Sequence, residues 1–239
     1  MMDGARAADF PMEAIVLAGG FGTRLRHIVS DVPKPMAPMD DAGTPFLRYV
    51  LEDLARQGAE RVILSTGYKS GVIEDYFGGD FQGMELVYSR EDEPLGTGGA
   101  VKLALESCRS PEVFVLNGDT FFAVDLAALR AFHRGQGADF TLAMKEMFHF
   151  DRYGALEVSE GRIRAFHEKR PLERGWINGG VYCLRRDLLT GAGKQRFSLE
   201  TDFLEKQTKQ LKICGFPSEG YFIDIGIPED YYRAQREMK

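Results

Sequence analysis

The stretch LAGGFGTRLRHIVSDVPKP, Leu17 to Pro35, sets Gly19, Gly20 and Gly22 beside the fixed charges of Arg24, Arg26 and Lys34. Glycine lets backbone N–H groups approach an anion closely, and the Arg24 guanidinium suits a bidentate grip on phosphate oxygens. Lys34 stands between Pro33 and Pro35, and a fixed φ on either side restricts where its ammonium can go. Two common nucleotide loops fail here. A GxGxxG fingerprint begun at Gly20 needs a third glycine where Leu25 stands, and a P-loop needs Gly-Lys-Ser/Thr where Thr23-Arg24 stands. Spacing alone leaves two readings level: a polyphosphate cradle, or a solvated loop with a basic face.

The elements around this loop have a clear rhythm. EAIVLA (Glu13 to Ala18) is a short apolar run ending in glycine, as a buried parallel strand requires. FLRYVLEDLARQG places Phe46, Val50, Leu51 and Leu54 on one helical face and stops at Gly58. RVILST, MELVYS and EVFVLNG read as further strands, alternating with helices over GVIEDYFG and GGAVKLALESC. Strand and helix taking turns at this spacing imply an open parallel α/β sheet with crossover helices. Ligands in such sheets sit beyond the carboxyl ends of the strands. Three polar clusters fall there: GGFGTR after the first strand, EDEPLGTGG after the third and NGDT after the fourth.

After about Asp139 the texture becomes more mixed. DFTLAMKEM, ALEVSEGRIRAFHEK and GGVYCLRR are strand-like, with SEGR as a hairpin turn. A helix over LETDFLEKQTKQL, a strand pair around KICGFPSEGYFIDIG and a Pro-led helix PEDYYRAQREM close the chain. The expectation is a flexible extension over residues 1–11 and a single domain over residues 12–239.

Composition narrows the function. The chain has 239 residues, 44% of them hydrophobic, and a formal net charge of −6. That balance argues against general nucleic-acid binding, which needs a basic surface, yet leaves room for a local basic pocket. No apolar run approaches the length of a membrane span, and MMDGARAADFPM lacks the apolar core of a secretion signal. Cys108, Cys183 and Cys214 form neither a disulfide framework nor a zinc pattern. A cytoplasmic, non-membrane protein is expected.

The motifs together resemble the sugar-1-phosphate nucleotidylyltransferases. LAGGFGTRLRHIVSDVPKPMAPM looks like the opening block of that family, and EPLGTGGA, LNGDT, FHEK, INGGVY and FIDIGIPEDY resemble its later blocks in order. Within it, KPMAP, VLNGDTFF, DRYG and YFIDIGIPEDYY are most similar to the subgroup that transfers guanylate to D-glycero-α-D-manno-heptose 1-phosphate. The resemblance implies a Rossmann-like three-layer α/β/α nucleotidyltransferase fold with a mixed, mainly parallel sheet. It implies Mg²⁺ as cofactor, with Asp119 and Asp224 as its ligands; capping is the ordinary use of such aspartates. The substrates implied are GTP and a sugar 1-phosphate, and the likeness is compatible with a homodimer.

Residue by residue, the resemblance places Arg24, Lys34, Asp119, Lys169 and Asp224 in the catalytic set. Arg24 would meet the departing pyrophosphate and Lys169 the sugar phosphate. Leu17, Gly19, Gly20, Gly22, Thr23, Glu93, Gly96, Thr97, Gly98 and Gly118 would surround the nucleotide. Tyr153, Gly154, Glu168, Asn178 and Gly179 would face the sugar. Glu93 bears on the base, because an acceptor-only carboxylate complements the adjacent N1–H and N2–H₂ donors of guanine. Its neighbours Glu91 and Asp92 leave an outward, solvated Glu93 equally open. The alternatives weighed are a hexose 1-phosphate or another nucleotide, a non-catalytic relative that only binds, and a nicotinamide enzyme, the last disfavoured by Leu25.

Overall fold

A computed structural model of the protein describes residues 10–20, 25, 28–29 and 31–238. Gly22, Thr23 and Arg24 of the glycine loop, and residues 1–9 of the expected extension, lie outside the described residues.

In chain order the elements are β1 (Glu13–Leu17), a 3₁₀ turn (Lys34–Met36), α1 (Phe46–Arg56), β2 (Arg61–Thr66), α2 (Ser70–Phe77), β3 (Asp80–Phe81), β4 (Met84–Arg90) and α3 (Gly96–Leu105). They continue through β5 (Glu112–Asn117), β6 (Thr120–Phe122), α4 (Leu126–Gln136), β7 (Phe140–Phe150), β8 (Ala155–Ser159), β9 (Arg162–Phe166) and β10 (Leu172–Arg185). A π-helical turn (Leu199–Leu204) running into α5 (Glu205–Gln207), then β11 (Ile213–Pro217), β12 (Phe222–Asp224) and α6 (Pro228–Glu237), complete the chain.

A ten-stranded sheet in the order β3-β4-β2-β1-β5-β10-β7-β11-β9-β8 spans both halves of the sequence. Strands β4, β2, β1 and β5 are mutually parallel, as their apolar runs require. Strand β10 enters antiparallel between β5 and β7, and β11 then runs parallel to β7. Most strands therefore share one direction while the second half pairs largely antiparallel, a mixed α/β sheet. Each central strand faces two cores. Val16, Leu64 and Leu116 pack with α1, α2 and α6 on one side; Ile15, Ile63 and Val115 pack with α3 and the π-helical turn on the other. Among the described residues no helix is long and apolar enough to cross a membrane.

The strand order reverses at β1, whose neighbours are β2 on one side and β5 on the other. The crevice beyond its carboxyl end is where such a sheet takes its ligand. At the opposite end, Glu13 is buried at 1% exposure. Its Oε2 accepts from the N–H groups of Arg109 at 2.7 Å and Ser110 at 2.6 Å, and Arg61 Nε stands 3.6 Å from Oε1. Glu13→Gln should lower the unfolding free energy by about 1–3 kcal/mol, by weakening charge-assisted bonds to a buried acceptor. Urea denaturation reads that loss, with turnover per folded molecule unchanged.

Three expectations need correction. The segments around KICGFPSEGYFIDIG do not pair with each other: β11 joins β7, and β12 joins β6 in a separate two-stranded ladder. The helix foreseen over LETDFLEKQTKQL is a π-helical turn that passes into α5 and ends at Gln207, started by Ser198, whose hydroxyl accepts from Thr201 N–H. The GGVYCLRR strand is the second half of a longer β10 that begins at Leu172. The SEGR turn is as expected, with Glu160 and Gly161 at φ +53° and +72° supplying the left-handed geometry of a tight hairpin.

Candidate active site

Strands β1 and β5 run in register to Leu17 and Asn117. Beyond them Gly118 N–H donates to the Leu17 carbonyl at 2.9 Å, and a Cβ at Gly118 would stand 2.6 Å from that oxygen. Only glycine lets the chain leave β5 this close to β1, and Asp119 follows directly. The short β6–β12 ladder pairs Thr120 with Asp224, and Ile225 N–H donates to the Asp119 carbonyl at 3.1 Å. Two aspartates 105 positions apart in the numbering are thereby brought to one point.

Lys34 meets them there. Its Nζ lies 2.6 Å from Asp119 Oδ2 and 3.6 Å from Asp224 Oδ1, with the lysine side chain only 9% exposed. The backbone that delivers it is the 3₁₀ turn, led by Pro33 and closed by Met36 N–H on the Pro33 carbonyl at 2.8 Å. Two carboxylates converging on one cation are a donor set that suits a hard divalent ion, which retains open positions for other oxygen ligands. Among the described residues no group of three or more His, Cys, Asp or Glu side chains gathers in metal-binding geometry. The fit therefore rests on this pair.

The junction separates two cavities. The first, of about 420 Å³, is lined by Leu17, Gly19, Gly20, Lys34, Gly96, Thr97 and Asp119 among others. The second, of about 430 Å³, has Tyr153, Gly154, Lys169, Asn178 and Asp224 in its wall. Each aspartate thus faces one cavity, and Glu200 lines both.

Local irregularities shape the second cavity. Between Asn178 and Tyr182, β10 carries three residues where β7 carries only Ala143, a bulge of the kind that re-aims a side chain. Gly180 sits there at φ +73°, and a Cβ on it would lie 2.6 Å from Asn117 Nδ2. The Asn178 carboxamide is held at both ends: Gly180 N–H donates to its Oδ1, and its Nδ2 donates to the Tyr182 hydroxyl at 2.9 Å. The fully buried Tyr182 hydroxyl in turn donates to Glu200 Oε1 at 3.2 Å, and Thr97 donates to Glu200 Oε2 at 2.9 Å. Burial holds the Tyr182 phenol well above its ordinary range, so it remains a donor. The Tyr153 hydroxyl is pushed up to about 12, by burial first and then by Asp224.

Several expected residues support the walls without lining them. Gly98 and Gly179 are buried, and a Cβ on either would strike the ring of Phe197 at 2.2 Å or of Phe122 at 2.4 Å. Glu168 is exposed and does not line the second cavity, whereas Lys169 reaches its rim. Glu93 is exposed, and of the described residues it is Glu91 that lines the first cavity. Leu95 N–H donates to Glu91 Oε2 at 2.8 Å, and burial raises the Glu91 carboxyl above its ordinary value. Asn117, Gly226, Arg152, Ser198 and Thr201 also line the cavities and were not foreseen.

The nucleotidyl transferase family model matches residues 13–239. The chain is 49% identical to the D-glycero-α-D-manno-heptose 1-phosphate guanylyltransferase of Aneurinibacillus thermoaerophilus, over 95% of this chain and 99% of that one. It is 47% identical to the protein of the same name from Campylobacter jejuni, over 92% of this chain and 97% of the other. Among solved structures, HddC from Yersinia pseudotuberculosis complexed with GMP-PN superposes with a TM-score of 0.84 at 36% identity, covering 95% of this chain and all of that one.

Proposed function

Because the chain belongs to the nucleotidyl transferase family, we propose that it joins GTP to D-glycero-α-D-manno-heptose 1-phosphate, releasing pyrophosphate and GDP-heptose. The observation that carries this reading is the meeting of Asp119, Asp224 and Lys34 where two cavities adjoin. A reaction between two anionic substrates needs such a place. Two heptose 1-phosphate guanylyltransferases at nearly half identity over almost the whole chain support the choice of substrates.

In the reaction, a phosphate oxygen of the sugar 1-phosphate attacks the α-phosphorus of GTP. The bond from that phosphorus to the bridging oxygen breaks, and its electron pair leaves with pyrophosphate. The protein's work is alignment and charge neutralisation. The first cavity holds the nucleotide, with Gly19, Gly20, Gly96 and Thr97 around it and Glu91 accepting from the guanine N–H donors. Arg24, outside the described residues, takes the departing pyrophosphate. The second cavity holds the sugar phosphate, with Lys169 at the phosphate and Tyr153 and Asn178 donating to sugar hydroxyls. Asp119 and Asp224 hold Mg²⁺, which supplies positive charge to the phosphate oxygens when bound. A cytoplasmic site of action accords with a nucleoside triphosphate substrate and with buried, unpaired Cys108, Cys183 and Cys214.

A pyrophosphate-release screen crossing four nucleoside triphosphates with hexose and heptose 1-phosphates tests the assignment. The expected result is the highest kcat/KM for GTP with the heptose substrate. A tenfold preference for a hexose 1-phosphate, or for UTP, would overturn it.

A further inference from the structure

Lys34 occupies the position in which a divalent ion would be expected. Its ammonium bridges the two carboxylates, and its side chain is almost fully withdrawn from solvent while theirs are 38% and 24% exposed. Asp119 and Asp224 together carry two negative charges, of which the Lys34 ammonium offsets one. A divalent ion on the same oxygens would neutralise them, and the ammonium would then stand against a filled cation site. Like charges this close repel strongly in a partly buried setting. Lys34 must therefore move when the ion arrives, and the first cavity, which it already lines, is the open space beside it.

We infer that Lys34 is a resident cation that holds the aspartate pair together in the nucleotide-free protein and exchanges places with the metal ion when nucleotide binds. This rests on the nucleotidyl-transfer reading for the identity of the incoming anion, but the exchange is a property of the free protein. Without nucleotide the displaced ammonium gives up both aspartates for a cavity whose other carboxylates, Glu91 and Glu200, already accept hydrogen bonds from Leu95, Thr97 and Tyr182, so Lys34 opposes the free ion. Triphosphate oxygens in the first cavity give the ammonium a new partner and remove that opposition. Metal and nucleotide are then positively coupled, each raising the affinity for the other by the same factor. The prolines flanking Lys34 keep its backbone fixed, so the exchange is made by side-chain torsions alone.

The test measures Mn²⁺ binding to metal-stripped, nucleotide-free protein, by the loss of the free-ion EPR signal. Lys34→Met and Lys34→Gln, which both remove the charge, are expected to bind Mn²⁺ about tenfold tighter than wild type or more. Lys34→Arg, which keeps it, should stay near wild type. Adding Asp119→Asn to Lys34→Met should erase the gain, locating it at this pair. Unchanged or weaker binding in both neutral variants, with circular dichroism as for wild type, would overturn the inference. So would an equal gain in Lys34→Arg. Pyrophosphate release by the wild-type enzyme judges the transfer reaction separately, so an inactive protein that still shows the Mn²⁺ gain would sink the proposed function and not this exchange.

Discussion

Asp119→Asn and Asp224→Asn should each reduce pyrophosphate release by about a hundred- to a thousandfold, the range for losing one preorganised electrostatic contributor to a transition state. The substitution keeps the oxygen that could face a cation and removes its charge, so the loss reports electrostatics rather than shape. Both side chains are part-exposed, and the bonds that position them run through backbone, from Ile225 N–H to the Asp119 carbonyl and across the β6–β12 ladder. Folding should therefore survive, with a melting temperature within a few degrees of wild type. Excess Mg²⁺ should not restore the rate, because the missing element is the negative charge of the pair. A folded variant at either position with near-normal turnover would remove that aspartate from the mechanism.

The central half of the fold was legible because its strands are buried on both faces, so that EAIVL, RVILST and EVFVLN announce themselves as apolar runs. Their carboxyl ends then point to Leu17 and Asp119 without further information. The delivery of Asp224 was not legible, since it depends on a ladder whose strands are three residues each, too short to carry a periodic signal. Glu200 was hidden for a different reason. LETDFLEKQ has an ordinary helical pattern, and nothing in it reveals a π-helical turn that puts Glu200 between the Tyr182 and Thr97 hydroxyls. The bulge in β10 lies between these extremes: two successive glycines in INGGVY hint at an irregularity, but only the pairing with β7 shows where the register slips.

The carboxylates at the end of β4 are the most instructive case, since Glu91 lines the first cavity and Glu93 is exposed. Strand β4 alternates faces, with Val87 packed on the side of α3. Glu91 N–H donates to the Thr66 carbonyl at 2.8 Å, so the ladder with β2 continues one residue past the strand's end. Carrying the period of two through Ser89 to Glu91 aims that side chain at the α3 face and hence at the first cavity. Glu93 shares the same parity, but the chain has by then left the ladder and turned towards Pro94. Sequence spacing reaches Glu91 once the expected strand MELVYS is extended by two residues past Ser89.

Glu91→Gln should therefore lower kcat/KM for GTP by about ten- to a hundredfold and affect UTP much less, while Glu93→Gln stays near wild type. Guanine presents adjacent N–H and NH₂ donors, and an ionised carboxylate accepts from both, whereas a carboxamide turns one of its ends into a donor. A buried polar mismatch of this sort is what makes such sites discriminate strongly. The pH profile gives an independent reading. Burial raises the Glu91 carboxyl above 4.5, only partly offset by the Leu95 N–H that donates to it. As pH falls through that raised value Glu91 takes up a proton and loses one acceptor, so kcat/KM for GTP should fall on the acid side, with the corresponding inflection missing in Glu91→Gln. Equal losses with GTP and UTP would instead mean that Glu91 serves only to support its neighbours. Gly19, where an added Cβ would stand 2.7 Å from Glu91 Oε1, and Leu95 are the contacts through which it would do so.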